Sequence, residues 1–468
     1  MKTGLLRVLW VPLTMGILYL TAASFRPLLP IDETRYMTVA WEMLLHHGWL
    51  QPLTLNFEPY HHKPPLLFWL INLSWSIFGV SRWAGLIPIV LISGANILLT
   101  MKLARLLFPR IPDSGLRAGL LMAGSFPFMV YGTLVMFDMA VCLLTLAALI
   151  MLVLHARDRR RQRYLVLMGL FTGLGVLVKG PVAYLYILFP MLLAPWWIGD
   201  FTNPAVWFRG VALMIAISIL PVLFWLIPIL QQADGDFAYW LVWNQTAGRM
   251  IGNFDDAHLR PIYFYLPLLP IMIIPWIFFP VFWRSWGQLK ISLKDEEGMR
   301  FIACWLLPAL VCFSVFSGKQ PHYLVPLMPG FAMILLISLR QMPSKTLAYT
   351  FSIIMSVFVL GQIPASQNIF KRYDLTQVAT YMQSHAEHPW AHVRNYHGEL
   401  GFMARLEQPI ADLEFKDLPD WFMRNPDGLA VIRYDRPDSV EKYVKLFDQP
   451  YRGKRLGIFS KMEDPTGP

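Results

Sequence analysis

Two short motifs near the N-terminus hold the side chains with the clearest capacity for chemistry. IDETRY contains Asp32, Glu33, Arg35 and Tyr36, and PYHHKPP contains Tyr60, His61, His62 and Lys63. A carboxylate in such a group suits a general base, whereas lysine and arginine form charge-assisted hydrogen bonds with phosphate. The two motifs therefore predict a site for a phosphate-bearing substrate.

Further ionisable or aromatic residues follow at the predicted ends of apolar segments. They are Asp138, Lys179, Arg249, Lys319, His322 and Tyr323. Ionisable groups near a membrane core are costly, so they tend to be functional or paired. A phosphate at membrane level belongs naturally to a lipid headgroup or a lipid-linked donor. The charge that develops on a leaving phosphate would be stabilised by these cations.

The segments that position these residues are those of a membrane protein. The chain has 468 residues, of which 56% are hydrophobic and only 15% charged, whereas a soluble protein has about 25% charged residues. We predict an all-α polytopic fold of about 11 transmembrane helices, because each apolar run of about 20 residues can cross a bilayer. The predicted spans are 5–25, 83–108, 115–134, 136–156, 164–178, 181–198, 207–231, 262–283, 300–317, 322–340 and 346–364.

The run 65–80 is too short to span a bilayer, so we predict a half-buried or surface-lying helix there. With a cytoplasmic N-terminus, the cytoplasmic loops then carry about twice as many Lys and Arg residues as the short outer loops, in agreement with the positive-inside rule. All candidate site residues fall on the outer face. The net charge of +10 is thereby explained by orientation and does not predict binding to nucleic acid.

The composition changes after about residue 365, where the chain becomes polar and mixed in charge. We predict two domains: a transmembrane domain at 1–365, with a first outer loop at 26–82, and a small soluble α/β domain at 366–468 on the non-cytoplasmic side. Within the second domain, spacing predicts a helix at 374–387 and strands at 428–434 and 455–460. Cys142, Cys304 and Cys312 lack the spacing of a disulfide framework or a zinc ribbon.

The run from Arg26 to Gly79 closely resembles the first outer loop of the GT-C glycosyltransferases. The nearest in pattern are the bacterial aminoarabinose lipid A transferases and, more distantly, the protein O-mannosyltransferases. The family pattern D-E-x-x-Y, followed by Y-x-x-K-P-P-L, stands here at 32–36 and 60–66. The segments 318–326 and 263–267 resemble the family's K-x-P-x-Y-x-x-P and Y-Y-L-P segments.

The resemblance implies an inverting transferase of the bacterial inner membrane, with many spans and a periplasmic C-terminal domain. Its donor would be a polyprenyl (undecaprenyl) phosphate sugar, and its acceptor lipid A or lipopolysaccharide, another glycan or a protein. Asp32, with Glu33 beside it, would be catalytic. The donor phosphate would be bound by Lys63, Arg249, Lys319 and Tyr323. The remaining pocket residues would be Arg35, Tyr36, Tyr60, His62, Asp138, Lys179 and His322.

One departure concerns a metal. The lipid A transferases typically have glutamate before the motif lysine, whereas this chain has His62. No cofactor is required, but a divalent metal stays open, with His62 and His258 as weak candidate ligands.

Structural roles are open for the same residues. Asp32 and Glu33 could stabilise a helix N-terminus, Lys63 could be an interfacial lysine, and Asp138 could form a structural ion pair with Lys179. Two other functions are also open. A secondary transporter predicts an inverted repeat and charges near the bilayer midplane, whereas a non-catalytic scaffold or flippase partner predicts no converging carboxylate and cations.

Overall fold

The computed structural model describes residues 2–46, 48–232 and 260–461, which form a large helical part and a smaller mixed sheet. The helices before residue 233 are α1 (Lys2–Phe25), α2 (Asp32–Leu45), α3 (Leu66–Phe78), α4 (Arg82–Leu107), α5 (Ser114–Ala123), α6 (Phe126–Tyr131), α7 (Phe137–Arg157), α8 (Arg163–Lys179), α9 (Ala183–Leu192), α10 (Ala194–Trp197) and α11 (Pro204–Gln232). Those after residue 259 are α12 (Pro280–Arg284), α13 (Trp286–Asp295), α14 (Glu297–Val315), α15 (Met328–Ser338), α16 (Ser344–Asn368), α17 (Thr376–Ser384) and α18 (Leu418–Arg424).

Seven helical segments among the described residues are long and apolar enough to cross a membrane. They are Val8–Phe25, Arg82–Leu107, Phe137–Arg157, Pro204–Gln232, Glu297–Val315, Pro321–Ser338 and Ser344–Asn368. Each coincides with one of the predicted spans, which confirms a mostly helical, multi-pass membrane protein. The other four predicted spans, at 115–134, 164–178, 181–198 and 262–283, are shorter or interrupted.

Prolines account for the most strongly interrupted segment. Between residues 262 and 283, Pro267, Pro270, Pro275 and Pro280 each remove a backbone donor. Short 3-10 turns replace a continuous α-helix there, at Ile262–Leu268, Ile271–Ile273 and Trp276–Phe278. The break between α5 and α6 lies beside this segment, since the Phe126 N–H donates to the Ile274 carbonyl at 2.8 Å. This bond pairs one backbone donor of the first irregular segment with one acceptor of the second, in keeping with the need to satisfy backbone groups in a low-dielectric environment.

The short helix α3 has the two-sided character predicted for residues 65–80. Its 13 residues are too few to cross a bilayer. Leu67, Phe68 and Ile71 are buried on one side, whereas Leu73 and Ile77 on the opposite side are exposed. The helix therefore packs one face on the protein and leaves the other free for lipid.

The C-terminal sheet and a small hairpin contain all seven described strands. These are β1 (Thr54–Leu55), β2 (Glu58–Pro59), β3 (Trp390–Val393), β4 (Ala411–Leu413), β5 (Leu429–Tyr434), β6 (Tyr443–Tyr451) and β7 (Lys454–Lys461). The larger sheet has the order β4-β3-β5-β7-β6. Strand β3 is parallel to β4 and β5, whereas β7 is antiparallel to β5 and β6.

Alternation along β5 explains how this sheet is covered. Leu429 and Val431 join the buried cluster that includes α17, and Ala430 and Ile432 join the cluster that includes α18. A strand buried on both faces reads as a continuous apolar run, and 429–432 is such a run, which Arg433 ends. The predicted helix at 374–387 and the strands at 428–434 and 455–460 are confirmed as α17, β5 and β7.

Helix α2 joins the sheet region to the helical part. The Thr38 hydroxyl donates to the Gly398 carbonyl at 2.7 Å and accepts from the Phe402 N–H at 2.9 Å. The Asn56 side chain exchanges two hydrogen bonds, both 3.0 Å, with the backbone of Ile410. Partners more than 350 positions apart in the sequence therefore fix the sheet region on α2 and on the hairpin that follows it.

Candidate functional site

Asp32 is the first residue of α2, and the next turn holds its carboxylate. The Arg35 guanidinium donates to Asp32 Oδ1, and the Tyr36 hydroxyl donates to the same oxygen at 3.3 Å. The side chain of Asp32 is 43% exposed. Ile31 occupies the N-cap position, and no side-chain capping bond is present. The Asp32 carboxylate is therefore oriented by its neighbours but open to a substrate.

Glu33, in contrast to Asp32, is buried, with 1% of its surface exposed. Arg26 forms an ion pair with it, and the backbone N–H groups of Leu29 and Val135 each donate to a carboxylate oxygen at 2.9 Å. Arg26 also donates to the Thr133 carbonyl at 2.8 Å. Both carboxylate oxygens of Glu33 are thus engaged in connecting the start of α2 to the segment before α7, a geometry that does not favour the predicted catalytic role.

Aromatic rings form one wall beside Asp32. The ring of Phe137 lies 4.8 Å from that of Tyr36 and 5.3 Å from that of Phe68, centroid to centroid. The Lys63 Nζ lies 6.0 Å from the Phe137 ring centroid. Phe137, the first residue of α7, therefore contacts Tyr36 of the first motif and Lys63 of the second motif.

The second motif is anchored by Tyr60. Its side chain is buried, and its N–H donates to the Leu53 carbonyl at 2.7 Å. The Tyr60 ring contacts Phe68 and His62, at 6.3 and 5.3 Å between centroids, and His61 stacks on His62 at 4.9 Å. These contacts fix the backbone immediately before Lys63.

A buried ion pair is formed by the residue that follows Phe137. Asp138 is 1% exposed, and Lys179 Nζ donates to its Oδ1 at 2.5 Å. The His322 Nε2 lies 4.0 Å from Asp138 Oδ2, and Lys179 Nζ lies 4.5 Å from the Tyr323 ring centroid. The pairing that was left open from the sequence is thus formed, and it connects α7 and α8 with Pro321–Leu327.

The two groups of charges converge. His322 lies within electrostatic range of Asp138, Lys179, Lys63 and Asp32. Residues from α2, the PYHHKPP loop, α7, α8 and the 3-10 turn before α15 therefore meet at one end of the helical part.

Tyr131 was missed in the sequence. It ends α6 and lies within electrostatic range of both Asp138 and Asp32. Arg26, the partner of Glu33, was also not predicted. Tyr131 precedes Asp138 by seven positions, and Arg26 precedes Glu33 by seven positions. No spacing rule predicts contacts between residues that lie on either side of a turn.

Lys319, a predicted phosphate ligand, is bonded to backbone carbonyl groups. Its side chain is 3% exposed, and Nζ donates to the carbonyls of Arg260 at 2.9 Å and Phe316 at 2.5 Å. Two of its three donors therefore satisfy backbone groups near the C-terminus of α14. This favours a structural role, and phosphate binding by Lys319 stays a prediction.

Two candidate residues, Arg249 and His258, lie outside the described residues. The metal pair of His62 and His258 is therefore not tested. Among residues 2–46, 48–232 and 260–461, no group of three or more His, Cys, Asp or Glu side chains has a metal-binding arrangement.

Comparison with known sequences relates the chain to lipid-dependent sugar transferases. Residues 62–225 match the family of dolichyl-phosphate-mannose-protein mannosyltransferases. An undecaprenyl phosphate-alpha-4-amino-4-deoxy-L-arabinose arabinosyl transferase 2 of Pseudomonas fluorescens is 31% identical over 339 residues, which are 69% of this chain and 58% of that protein. An arabinosyl transferase of the same description from Enterobacter sp. is 29% identical over 325 residues, 68% of this chain and 57% of that protein. The matched region thus spans a little over half the length of these relatives.

Comparison with solved structures covers the chain more completely. ArnT from Cupriavidus metallidurans bound to undecaprenyl phosphate aligns over 100% of both chains, with a TM-score of 0.70 and 16% identity. The Archaeoglobus fulgidus oligosaccharyltransferase in complex with zinc and sulfate aligns over 96% of this chain and 73% of that one, with a TM-score of 0.54 and 13% identity. The chain therefore shares its fold with ArnT and with the oligosaccharyltransferase.

Proposed function

Because the chain is aminoarabinose transferase-like in sequence and has the GT-C fold, we propose that it is an inverting glycosyltransferase using a polyprenyl-phosphate sugar. The curated relatives are named for a donor of undecaprenyl phosphate and an aminopentose. The observation that carries the proposal is that the partner of Asp32, Tyr36, and the ammonium group of Lys63 both lie against Phe137, the residue before the Asp138 of the buried Asp138–Lys179 pair. We further propose lipid A or another envelope glycan as the acceptor.

The donor phosphate lies, in this proposal, against Lys63, with Arg249 as a second cation. Lysine binds phosphate as a point charge, and the Nζ of Lys63 lies over the ring of Phe137. Negative charge develops on the phosphate oxygen as the bond to the anomeric carbon breaks. A cation fixed beforehand at that position stabilises the transition state without reorganisation.

Asp32 acts on the acceptor. An acceptor hydroxyl attacks the anomeric carbon, its proton passes to the exposed Asp32 carboxylate, and the lipid phosphate leaves from the opposite face of the sugar. Arg35 and Tyr36 hold the carboxylate by its Oδ1. An acceptor phosphate, already ionised, would need orientation more than proton removal. Glu33, saturated by Arg26 and backbone donors, serves to position Asp32.

The topology of the chain across the membrane follows from the same proposal. About 11 spans, a cytoplasmic N-terminus and a periplasmic α/β domain at 366–468 place Asp32 at the outer surface of the bacterial inner membrane. Single cysteines at the exposed positions Lys416 and Arg160 report each side, in a background that lacks Cys142, Cys304 and Cys312. A membrane-impermeant maleimide should label only Lys416→Cys in intact spheroplasts, and labelling of Arg160→Cys alone would reverse the topology.

Transfer itself is tested in a deletion strain that carries the wild-type gene or Asp32→Asn. Mass spectrometry of envelope lipids and glycans should show a sugar that is lost on deletion, restored by the wild type and not restored by Asp32→Asn. With purified protein and a polyprenyl-phosphate donor, we expect the rate to fall by about 10²–10⁴-fold, the usual contribution of a general base.

Asp200→Asn is the matched control, since Asp200 is exposed on the loop before α11, far from α2 in the sequence. It should transfer at the wild-type rate. Full restoration by Asp32→Asn would instead support a non-catalytic scaffold. Solute uptake into vesicles that persists in the Asp32→Asn protein, without any sugar transfer by the wild type, would support a transporter.

A further inference from the structure

A cavity of about 260 Å³ lies in the C-terminal sheet region, separate from the contacts around Asp32 and Lys63. Its lining includes His392 of β3, Arg394 directly after β3 and Arg433 of β5. Arg452 and Lys454, at the turn from β6 to β7, complete one side. The register pairs Tyr434 with Arg455 across β5 and β7, so this turn also lies at the carboxyl end of β5.

The topology explains why a cavity forms there. The chain runs from β3 to β4 on one side of β3 and then to β5 on the other side, with all three strands parallel. Connections that leave neighbouring strands in opposite directions open a crevice at the carboxyl ends of those strands, and ligands of open α/β sheets bind in such crevices.

The lining carries an excess of positive charge. Arg394, Arg433, Arg452 and Lys454 face the cavity together with a single carboxylate, that of Glu399. One Glu399 oxygen already accepts the His397 N–H at 2.8 Å, and Lys454 pairs with Asp435 at the exposed rim. Several cations around a small concave site attract an anion, through charge-assisted hydrogen bonds that arginine can form in pairs.

The cavity lining contains buried polar atoms without a hydrogen-bond partner among the described residues. His392 is 8% exposed, and its Nδ1 has no hydrogen-bond partner among the described residues; the same holds for Arg433 Nε. Burial lowers the pKa of His392, although the carboxylates of Glu399 and Asp412 act in the opposite direction. A neutral imidazole is therefore favoured near pH 7. Leaving a buried polar group unsatisfied costs about 1–3 kcal/mol, and a bound ligand with oxygen atoms would remove that cost.

The cavity reaches the first loop of the helical part. Ile31, the residue before Asp32, belongs to its lining. The segment that follows β3 carries Arg394 and Glu399 into the cavity and then bonds to Thr38 of α2 through Gly398 and Phe402. A ligand here would thus lie beside the start of the helix that presents Asp32.

We propose that this cavity binds an anionic group, a phosphate monoester or a carboxylate, on a sugar of the acceptor glycan. The inference rests on the proposed transferase function, and it assigns the C-terminal sheet region a share in acceptor selection. The volume lies just below the usual range of ligand pockets, about 300–1,000 Å³. It therefore suits one acidic or phosphorylated monosaccharide rather than lipid chains.

The test uses the full-length protein in detergent and the double variant Arg394→Gln/Arg433→Gln. Calorimetry with glucosamine 1-phosphate, galacturonic acid and inorganic phosphate measures binding without any transfer reaction. We expect the wild type to bind at least one acidic sugar, and the double variant to bind it at least tenfold more weakly. The matched control is Arg436→Gln, because Arg436 is exposed in the same region and is not part of the lining.

Steady-state kinetics then connect binding to transfer. The double variant should raise the acceptor KM at least tenfold and leave the donor KM unchanged, and removing the anionic group from the acceptor should have the same effect on the wild type. Lys454→Gln, at the rim, should cause a smaller rise in acceptor KM and serves if the double variant does not fold.

The experiments distinguish a failure of the proposed transferase function from a failure of the proposed binding site. A wild type that binds acidic sugars but transfers nothing contradicts the proposed function and leaves the binding site standing. Wild-type kinetics and wild-type binding in the double variant contradict the binding site. Inorganic phosphate that binds as tightly as the sugar phosphate overturns the assignment to an acceptor sugar, since the site would then recognise free phosphate.

Discussion

The two sides of the first turn of α2 carry adjacent carboxylates in opposite settings. On one side, Glu33 is buried, paired with Arg26 and bonded to two backbone N–H groups. On the other side, Asp32 is held through one oxygen and remains partly exposed. The comparison teaches that a closed ion pair can hold a helix start rigidly while its neighbour stays available to a substrate. Changes on the closed side should lower stability most, whereas a change at Asp32 should lower the rate of transfer and leave stability nearly unchanged.

The largest loss of stability is expected on the closed side. Glu33→Gln removes one partner of a buried pair and leaves Arg26 uncompensated, which destabilises the fold by about 3–5 kcal/mol. Thermal unfolding in detergent, followed with a thiol-reactive dye, detects the exposure of Cys142, which is fully buried in the fold. A melting temperature equal to that of the wild type would show that the Glu33 contacts do not stabilise α2.

A somewhat smaller loss is expected for Lys179→Met. It leaves the Asp138 carboxylate buried without its lysine, at a cost near the lower limit for such pairs, about 3 kcal/mol. His322 moderates the cost, because its imidazole Nε2, 4.0 Å from Asp138 Oδ2, remains as a polar group beside the carboxylate. The same dye assay measures the change. The double variant Asp138→Leu/Lys179→Met should recover most of the melting temperature, and a further decrease would contradict the ion-pair interpretation.

Loss of the contact between α2 and the sheet region should lower the stability of the fold by a smaller amount. Thr38→Val keeps the shape of the side chain but leaves the Gly398 carbonyl and the Phe402 N–H without their partner, which costs about 1–3 kcal/mol. Limited proteolysis should cut the region after residue 375 faster than in the wild type. Thr376→Val, at the exposed first residue of α17, is a control that removes a hydroxyl without touching α2. Equal cleavage rates in Thr38→Val and the wild type would refute the prediction.

The smallest change in stability is expected at Asp32, although the change in rate is large. Asp32→Asn disturbs a partly exposed ion pair within one helix turn, and such pairs contribute about 0–1 kcal/mol. Its melting temperature should match that of the wild type within a few degrees, in the same assay as Glu33→Gln. If the two variants lose equal stability and equal transfer, the contrast between the two sides of α2 is wrong.

The sequence predicted the helical architecture well and the interruptions poorly. Apolar length alone located the seven segments that can cross a membrane. It could not show that 262–283 would form 3-10 turns, because hydropathy does not register the loss of backbone donors at Pro267, Pro270 and Pro275.

The sequence selected residues that the fold brings near one another and offered the Asp138–Lys179 pair as a possibility, but it did not separate Asp32 from Glu33. The motifs located Asp32, Lys63, Asp138 and Lys179, which the fold brings together. The difference between Asp32 and Glu33 is invisible in sequence, since it depends on Arg26 and on the segment near Val135. The cavity after β3 was missed entirely, because sheet pairing assembles it from separate segments that have no common motif.

The bonds between Thr38 and the segment after β3 have a consequence for synthesis. Their partners are separated by 360 and 364 positions, so the ribosome makes the helix carrying Asp32 long before the polypeptide that braces it. A nascent protein arrested before that point would hold every motif of the first loop yet lack the brace on α2. Competence for the proposed sugar transfer would then begin only after residues 398–402 have been made and have bonded to Thr38.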